Sequence, residues 1–160
     1  VMHLTLSNCQ LNDHVAARVC ASLAHNQTVT CFNISNNALG VVAGHALGKM
    51  LARNCVLTDL DISWNNIRDE GAGSVARHLQ GSSIRNLNMA YNAFGRCESA
   101  AMLGKWLPHT QVEHLDLTAN HLTPLTVSIL MNGLALFPTL KSVKLDENPI
   151  GLLGTAAVLR

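Results

Sequence analysis

The sequence predicts an α/β solenoid, a stack of strand–turn–helix units with a parallel sheet on one face and helices on the other. Three observations carry that prediction. Copies of one pattern begin at Val1, Val29, Leu57, Ile84, Val112 and Leu140, at successive periods of 28, 28, 27, 28 and 28 residues. The copies share the columns L-x-x-L-x-L-x-x-N-x-L, seen best in LTDLDISWNNI from Leu57, IRNLNMAYNAF from Ile84 and VEHLDLTANHL from Val112. At the four apolar columns all 24 cells are apolar, in a chain whose 48% hydrophobic composition would fill only half by chance. Beyond the last apolar column each copy changes to helical spacing, as in LNDHVAARVCASLA from Leu11 and IRDEGAGSVARHLQ from Ile67.

Each column has its own physical cause. Alternate side chains of an extended segment face opposite ways, so Leu60 and Ile62 point into the core while Asp59, Asp61 and Ser63 point out. The asparagine column reads Asn37, Asn65, Asn92, Asn120 and Asn148, with Cys9 in its place in the first copy. A buried amide at a bend can bond the backbone groups that the turn leaves without partners, so stacked copies should form a ladder. In the helical part apolar residues recur four apart at Val19 and Leu23, Leu47 and Leu51, Val75 and Leu79, Met102 and Trp106, Leu130 and Leu134, a stripe that should face the strands. Small residues at Ala16, Gly44, Ala72 and Ser99 let neighbouring helices approach, and Asp13, Asp69 and Glu70 suit helix starts. The third copy loses its one residue near Gly81, in the helix-to-strand loop where a deletion is best tolerated. The whole chain therefore reads as one array with repeats 1–28, 29–56, 57–83, 84–111, 112–139 and an incomplete 140–160.

A 28-residue unit with a full helix is long for this class of repeat. It resembles the ribonuclease-inhibitor-like subfamily of leucine-rich repeats, and the resemblance covers the whole chain. It implies a horseshoe with the sheet on the concave face and the helices on the convex face. The subfamily includes ribonuclease inhibitor, the Ran GTPase-activating protein, innate-immune sensors of the NOD type, tropomodulins and ciliary scaffold subunits. The motif specifies fold strongly and function weakly, and no member's active residue carries over by position. Val1 opens directly on a strand position and Arg160 stops inside the sixth helix, so further repeats or caps of the same chain are expected at both ends.

Composition limits the partners. With 11 Lys and Arg against 10 Asp and Glu, the formal charge of +1 gives no long-range field for nucleic acid or an anionic membrane. No apolar run approaches the roughly 18 residues needed to cross a bilayer. Cys9, Cys20, Cys31, Cys55 and Cys97 make an odd set with no C-x-x-C spacing, which reads as reduced thiols. Two glycosylation sequons occur, at Asn26-Gln-Thr28 and Asn33-Ile-Ser35. The second falls on a strand, which favours a cytoplasmic protein, with the cytoskeleton or cilium as candidate settings.

The columns also locate the chemistry. Successive inner-face residues read His3, Cys31, Asp59, Asn86, His114, Ser142 and, beside them, Thr5, Asn33, Asp61, Asn88, Asp116, Lys144, with Trp64 and Tyr91 adjacent at the next bend. The strand side carries a net −3 and the helical side +4. Asp59, Asp61, His114 and Asp116 are metal-ligand types, but the third and fifth copies lie two strand spacings, about 10 Å, apart, and one ion cannot gather them. Asp59 and Asp61 are about 6.6 Å apart along their strand, too far for a directly paired acid and base. Cys97 follows Arg96 at a helix start, a setting that can lower a thiol pKa, yet its nearest histidine by column, His14, is roughly 15 Å away. It reads as an inert, partly buried cysteine. The histidines share no H-x-x-x-H spacing, the methionines fill packing positions, and the basic residues Arg53, Arg77, Arg96 and Lys105 lack aromatic interleaving. No catalytic residue, metal or cofactor is indicated. The expected function is a protein-binding scaffold that uses Asp59, Asp61, Trp64, Asn86, Asn88, Tyr91, His114 and Asp116 to hold a partner with a basic segment. The alternative is a GTPase-activating or other enzyme-regulating repeat domain, which would act by the same kind of contact.

Overall fold

The computed structural model describes residues 2–134 and 136–158, without the side chains of Cys97, Ala157 and Val158. The reading of Cys97 as a partly buried thiol, like the chain positions Val1 and Arg160, falls outside the described residues. Six strands and six helices alternate: β1 Met2–Thr5, α1 Asp13–Leu23, β2 Val29–Asn33, α2 Val41–Leu51, β3 Asp59–Asp61, α3 Asp69–His78, β4 Asn86–Asn88, α4 Cys97–Trp106, β5 His114–Asp116, α5 Pro124–Leu134, β6 Ser142–Lys144 and α6 Gly151–Val158. The strands form one sheet in the order β1 to β6, every neighbour parallel. Pairing follows the repeat: Phe32 stands beside Leu60, Leu60 beside Leu87 and Leu87 beside Leu115. The short third copy therefore closes without a slip of register. Its missing residue is taken up in the loop after α3, where Gly81 has a φ of +80°.

The strand residues that face the helices are buried together with the helical stripe in one cluster that includes Phe32, Leu60, Leu87, Leu115, Leu47, Val75 and Leu130. Neighbouring helices pack closely because glycine removes the intervening side chain. A Cβ on Gly44 would stand 2.7 Å from the Gly71 backbone, a distance that no real contact tolerates.

Two local expectations are corrected. Along α4 and into the turn after it the buried stripe is Ala100, Leu103 and Leu107, all fully buried, while Met102 and Trp106 are only half-buried. The cause is that α4 begins one residue later in its copy than α1, α2 or α3, which rotates the helix by one position; a 3₁₀ turn at Leu107–His109 then leads back toward β5. Ser63 does not point out but is 4% exposed, because the chain bends directly after Asp61 and the Ser63 hydroxyl donates to Asp61 Oδ1 at 2.6 Å. Asp13 is the first residue of α1, the helix-start position expected of it, and Asn12 caps that helix by accepting from Val15 N. The Asp13 carboxylate instead accepts from Gly40 N at 2.6 Å and Val42 N at 3.1 Å, at the start of the next helix.

The asparagine column joins each copy to the one before it. Asn65 Nδ2 donates to Ile62 O and Ser63 O in its own copy and to Ile34 O in the preceding one, while its Oδ1 accepts from Asn37 N and Leu39 N. Asn37 does the same toward Leu6 O, Cys9 N and Leu11 N, and Asn148 toward Leu117 O, Asn120 N and Leu122 N. Asn92 reaches Ile62 O and Ile67 N, and Asn120 reaches Met89 O and Phe94 N. A second set lies at the opposite bend, where buried Asn54 donates to Leu23 O and accepts from Val56 N and Leu57 N. Asn26, Ser82 and Thr110 do related work in other copies.

Asn92→Ala removes an amide that is 4% exposed and strands the backbone groups it serves. The expected cost is about 1–3 kcal/mol, read as a lower midpoint in thermal melts; an unchanged midpoint would mean that water satisfies the bend.

Candidate functional site

The face of the sheet away from the helices is a shallow groove of about 350 Å³, lined by the outward residues of β2 to β6. The expected site residues Asp59, Asp61, Asn86, Asn88, His114 and Asp116 all lie on it, in adjacent strands. The two outward columns behave differently. Residues of the second column turn their oxygen onto the backbone two residues ahead: Asn33 accepts from Ser35 N, Asp61 from Ser63 N, Asn88 from Ala90 N and Asp116 from Thr118 N, each at 2.9–3.1 Å. This is an Asx turn, which closes the bend at the end of each strand. Residues of the first column make no such turn and bond sideways or to a neighbour: Asn86 donates to Asp59 Oδ1 at 2.6 Å, Thr58 donates to Asp59 Oδ2, and His114 Nδ1 lies 2.7 Å from Ser142 Oγ.

Charge is distributed unevenly along the groove. Glu113 is held between Arg85 at 2.7 Å and Lys141 at 2.5 Å, and Lys144 lies 3.3 Å from Asp116. The bond from Lys141, followed by that from Arg85, keeps the Glu113 carboxyl below its usual pKa. Burial pushes Asp116 up, but the bonds from Thr118 and Lys144 outweigh it and leave that carboxyl below its ordinary value. Among the described residues Asp59 and Asp61 have no cationic partner within salt-bridge distance. The uncompensated negative charge of the strands is therefore on β3.

Beside β3, at the bend, Trp64 and Tyr91 stack face to face with centroids 3.7 Å apart and planes 10° from parallel. Trp64 remains 55% exposed. Both have left-handed backbones, with φ of 53° and 54°, as do Asn8, Asn36, Ala119 and Glu147 in the same column. The bend thus demands a positive φ in every copy, and among residues with a side chain asparagine meets that demand with little strain. Tyr91 reaches past the small Ala119 to donate its hydroxyl to Glu147 Oε2 at 2.7 Å, two copies away. Sequence reasoning placed the two aromatics side by side but missed Glu147, because the contact skips a copy. The signal that could have found it was the column itself, in which Tyr91 is followed by alanine and then glutamate.

Of the remaining described thiols, Cys31 lines the groove beside Asp59, and the others are elsewhere. Burial pushes the Cys20 thiol up to about 12, far from a nucleophile's range. Cys9, Cys31 and Cys55 are free thiols. Among the described residues no three of His, Cys, Asp and Glu converge to hold a metal ion. No helix among them is long and apolar enough to cross a membrane.

Comparison with known proteins agrees with this geometry. The family profile described as Leucine Rich repeat matches residues 25–48 and 53–76. Mouse Toll-like receptor 3 is 35% identical over 71 residues, which are 44% of this chain and 8% of that receptor. The chain thus spans only a small part of the curated relative it matches. Among solved structures, the one described as leiomodin-1 actin-binding site 2 superposes with a TM-score of 0.60 at 19% identity, covering 83% of this chain and 80% of that one.

The Tyr91 hydroxyl titrates above its ordinary value, chiefly because it donates to Glu147 and then because of burial and the nearby negative charge. Glu147→Gln should bring its titration, followed by tyrosinate absorbance, back toward the ordinary value. An unshifted curve would mean that the two side chains do not meet in solution.

Proposed function

We propose that this leucine-rich-repeat chain is a non-catalytic scaffold that holds a protein partner on the open face of its sheet, at copies three to five. The observation that carries the reading is the Trp64–Tyr91 stack. A bulky side chain in a left-handed backbone costs on the order of 1–2 kcal/mol. Asn36 makes the same bend one copy earlier without an aromatic, so the turn itself does not call for tryptophan. Strain kept at an exposed aromatic pair supports a binding role, since such residues commonly dominate protein interfaces. The unpaired Asp59 and Asp61 beside the stack favour a basic partner segment.

Finer points rest on the same reading. The 28-residue unit, with helices such as the 11-residue α1 and α2, supports placement in the ribonuclease-inhibitor-like subfamily. The structural neighbour is named as an actin-binding site of leiomodin-1, which makes a cytoskeletal protein the first partner class to test. A cytoplasmic setting is favoured because a glycan on Asn33, the second sequon asparagine, would stand on β2 inside the groove. Further repeats beside β6 would cover Leu145 and Ile150, which are only half-buried there.

Trp64→Ala combined with Tyr91→Ala in the full-length protein should deplete the partners recovered by affinity purification, and association should weaken with salt because exposed charges are screened over about 8 Å at physiological ionic strength. Partners unchanged in an intact fold would end this reading. Trp64→Asn separates binding from architecture. Relief of the backbone strain should roughly offset the lost stack, worth about 0.5–1.5 kcal/mol, so the melting midpoint should stay close to the parent's while binding falls.

A further inference from the structure

The helical side of the molecule carries a second surface. Between α1 and α2 lies an open valley of about 460 Å³. Its α1 wall is built of small residues, Ala17, Ala21 and Ala24, and Ala46 and Met50 line it from α2. The repeat explains how its α1 wall differs from those of the later helices. Ala21 occupies the column that holds Lys49 in the second copy and Arg77 in the third, and Ala17 the column that holds His45. The first helix thus lacks the long side chains that occupy both positions on α2.

The edge of the valley is basic. Lys49 lies in the last turn of α2 and Arg53 two residues beyond its end, both line the valley, and His25 follows α1 in the column of Arg53. Among the described residues no carboxylate lies within salt-bridge distance of Lys49 or Arg53. No acid is among the described residues that line this valley. Asp13 caps the start of α2, and Glu70 lies 3.8 Å from His45 on the side toward α3. The adjoining valley between α2 and α3 differs, since Asp69, Glu70 and Glu98 line it alongside Lys49 and Arg77.

We propose that the α1–α2 valley is a docking site for an acidic, amphipathic helical segment of another protein, separate from the sheet face. Two parallel 11-residue helices give a trough about 16 Å long. Such a trough between helices accepts the ridge of a third helix of about three turns. The alanine floor takes small apolar side chains, and Lys49 and Arg53 meet carboxylates at one end. Complementary charge sets orientation and excludes basic segments.

The test is fluorescence anisotropy on the full chain with a labelled 18-residue helical peptide bearing leucine and alanine on one face and glutamate on the other. A lysine counterpart of that peptide and a single-stranded oligonucleotide serve as comparison probes. The glutamate peptide should bind, lose at least tenfold in affinity with Lys49→Glu plus Arg53→Glu, and bind unchanged when Trp64→Ala and Tyr91→Ala are introduced. Ala21→Trp fills the exposed floor without altering charge and should also block binding, which guards against a misfolded charge variant. No binding, equal binding of the lysine peptide, or loss with the sheet-face variants would overturn the proposal. Oligonucleotide binding as tight as the peptide's, lost on the same substitutions, would overturn it too, by assigning the strip to nucleic acid.

Discussion

The structure depends on one recurring bond set, the amide that ties the bend of each copy to the backbone of the copy before it. A chain that leaves a strand and turns toward a helix exposes several N–H and C=O groups which the parallel ladder cannot reach, and burying them unpaired is costly. An asparagine supplies two donors and an acceptor at one point. Asn65 spends them on its own bend and on Ile34, Asn37 and Leu39 of the preceding copy. Stacking is thereby built into the turn. The apolar core contributes most of the burial, but it is the amides that hold successive copies at one spacing and so keep Phe32, Leu60, Leu87 and Leu115 in line.

That constraint decides which positions remain free for function. The second outward column of the sheet is mostly occupied with the same bend: Asp61, Asn88 and Asp116 turn an oxygen onto the backbone two residues on. Their chemistry is explained before any partner is invoked. The first column and the bend column are different. Asp59, Asn86 and His114 bond no turn of their own, and the bend column asks only for a positive φ. Within the proposed face, the determinants of binding therefore concentrate on Asp59, Asn86, His114, Trp64 and Tyr91, with Asp61 contributing through the second oxygen, which Asn88 bonds at 3.1 Å.

The fold was legible because the repeat presents each structural demand six times, so columns average out local noise. Strand positions, the parallel order and the asparagine bonds follow from that pattern. What stayed hidden was non-periodic. The one-residue delay of α4 changes the buried stripe from Met102 and Trp106 to Ala100, Leu103 and Leu107, and no column signals it in advance. The inward turn of Ser63 follows from where β3 ends, which alternation alone does not fix. In the candidate site the stacking of Trp64 on Tyr91 was readable from adjacent copies, whereas the reach of Tyr91 to Glu147 requires knowing that Ala119 leaves the path open. The pairing of Glu113 with Arg85 and Lys141 was likewise open to inspection by column, yet a net count of charge concealed it.

The electrostatics of the two faces follow from this division of labour. On the sheet side, capping favours Asp or Asn in one column, and cations in flanking positions neutralise Glu113 and Asp116 but not the acids of β3. On the helical side, carboxylates near helix starts meet partners along the stack, as Asp13 does at the start of α2 and Asp69 does with Arg96 at 2.8 Å. Cations toward helix ends suit the partial negative charge there and are left facing solvent, as Lys49 and Arg53 are. Local helix and turn chemistry thus produces an acidic patch at β3 and a basic edge at α2 without any long-range design. The two side-chain features that this chemistry does not require, a tryptophan at a strained bend and an alanine wall where later copies carry Lys49 and Arg77, lie beside those two patches, one on each face.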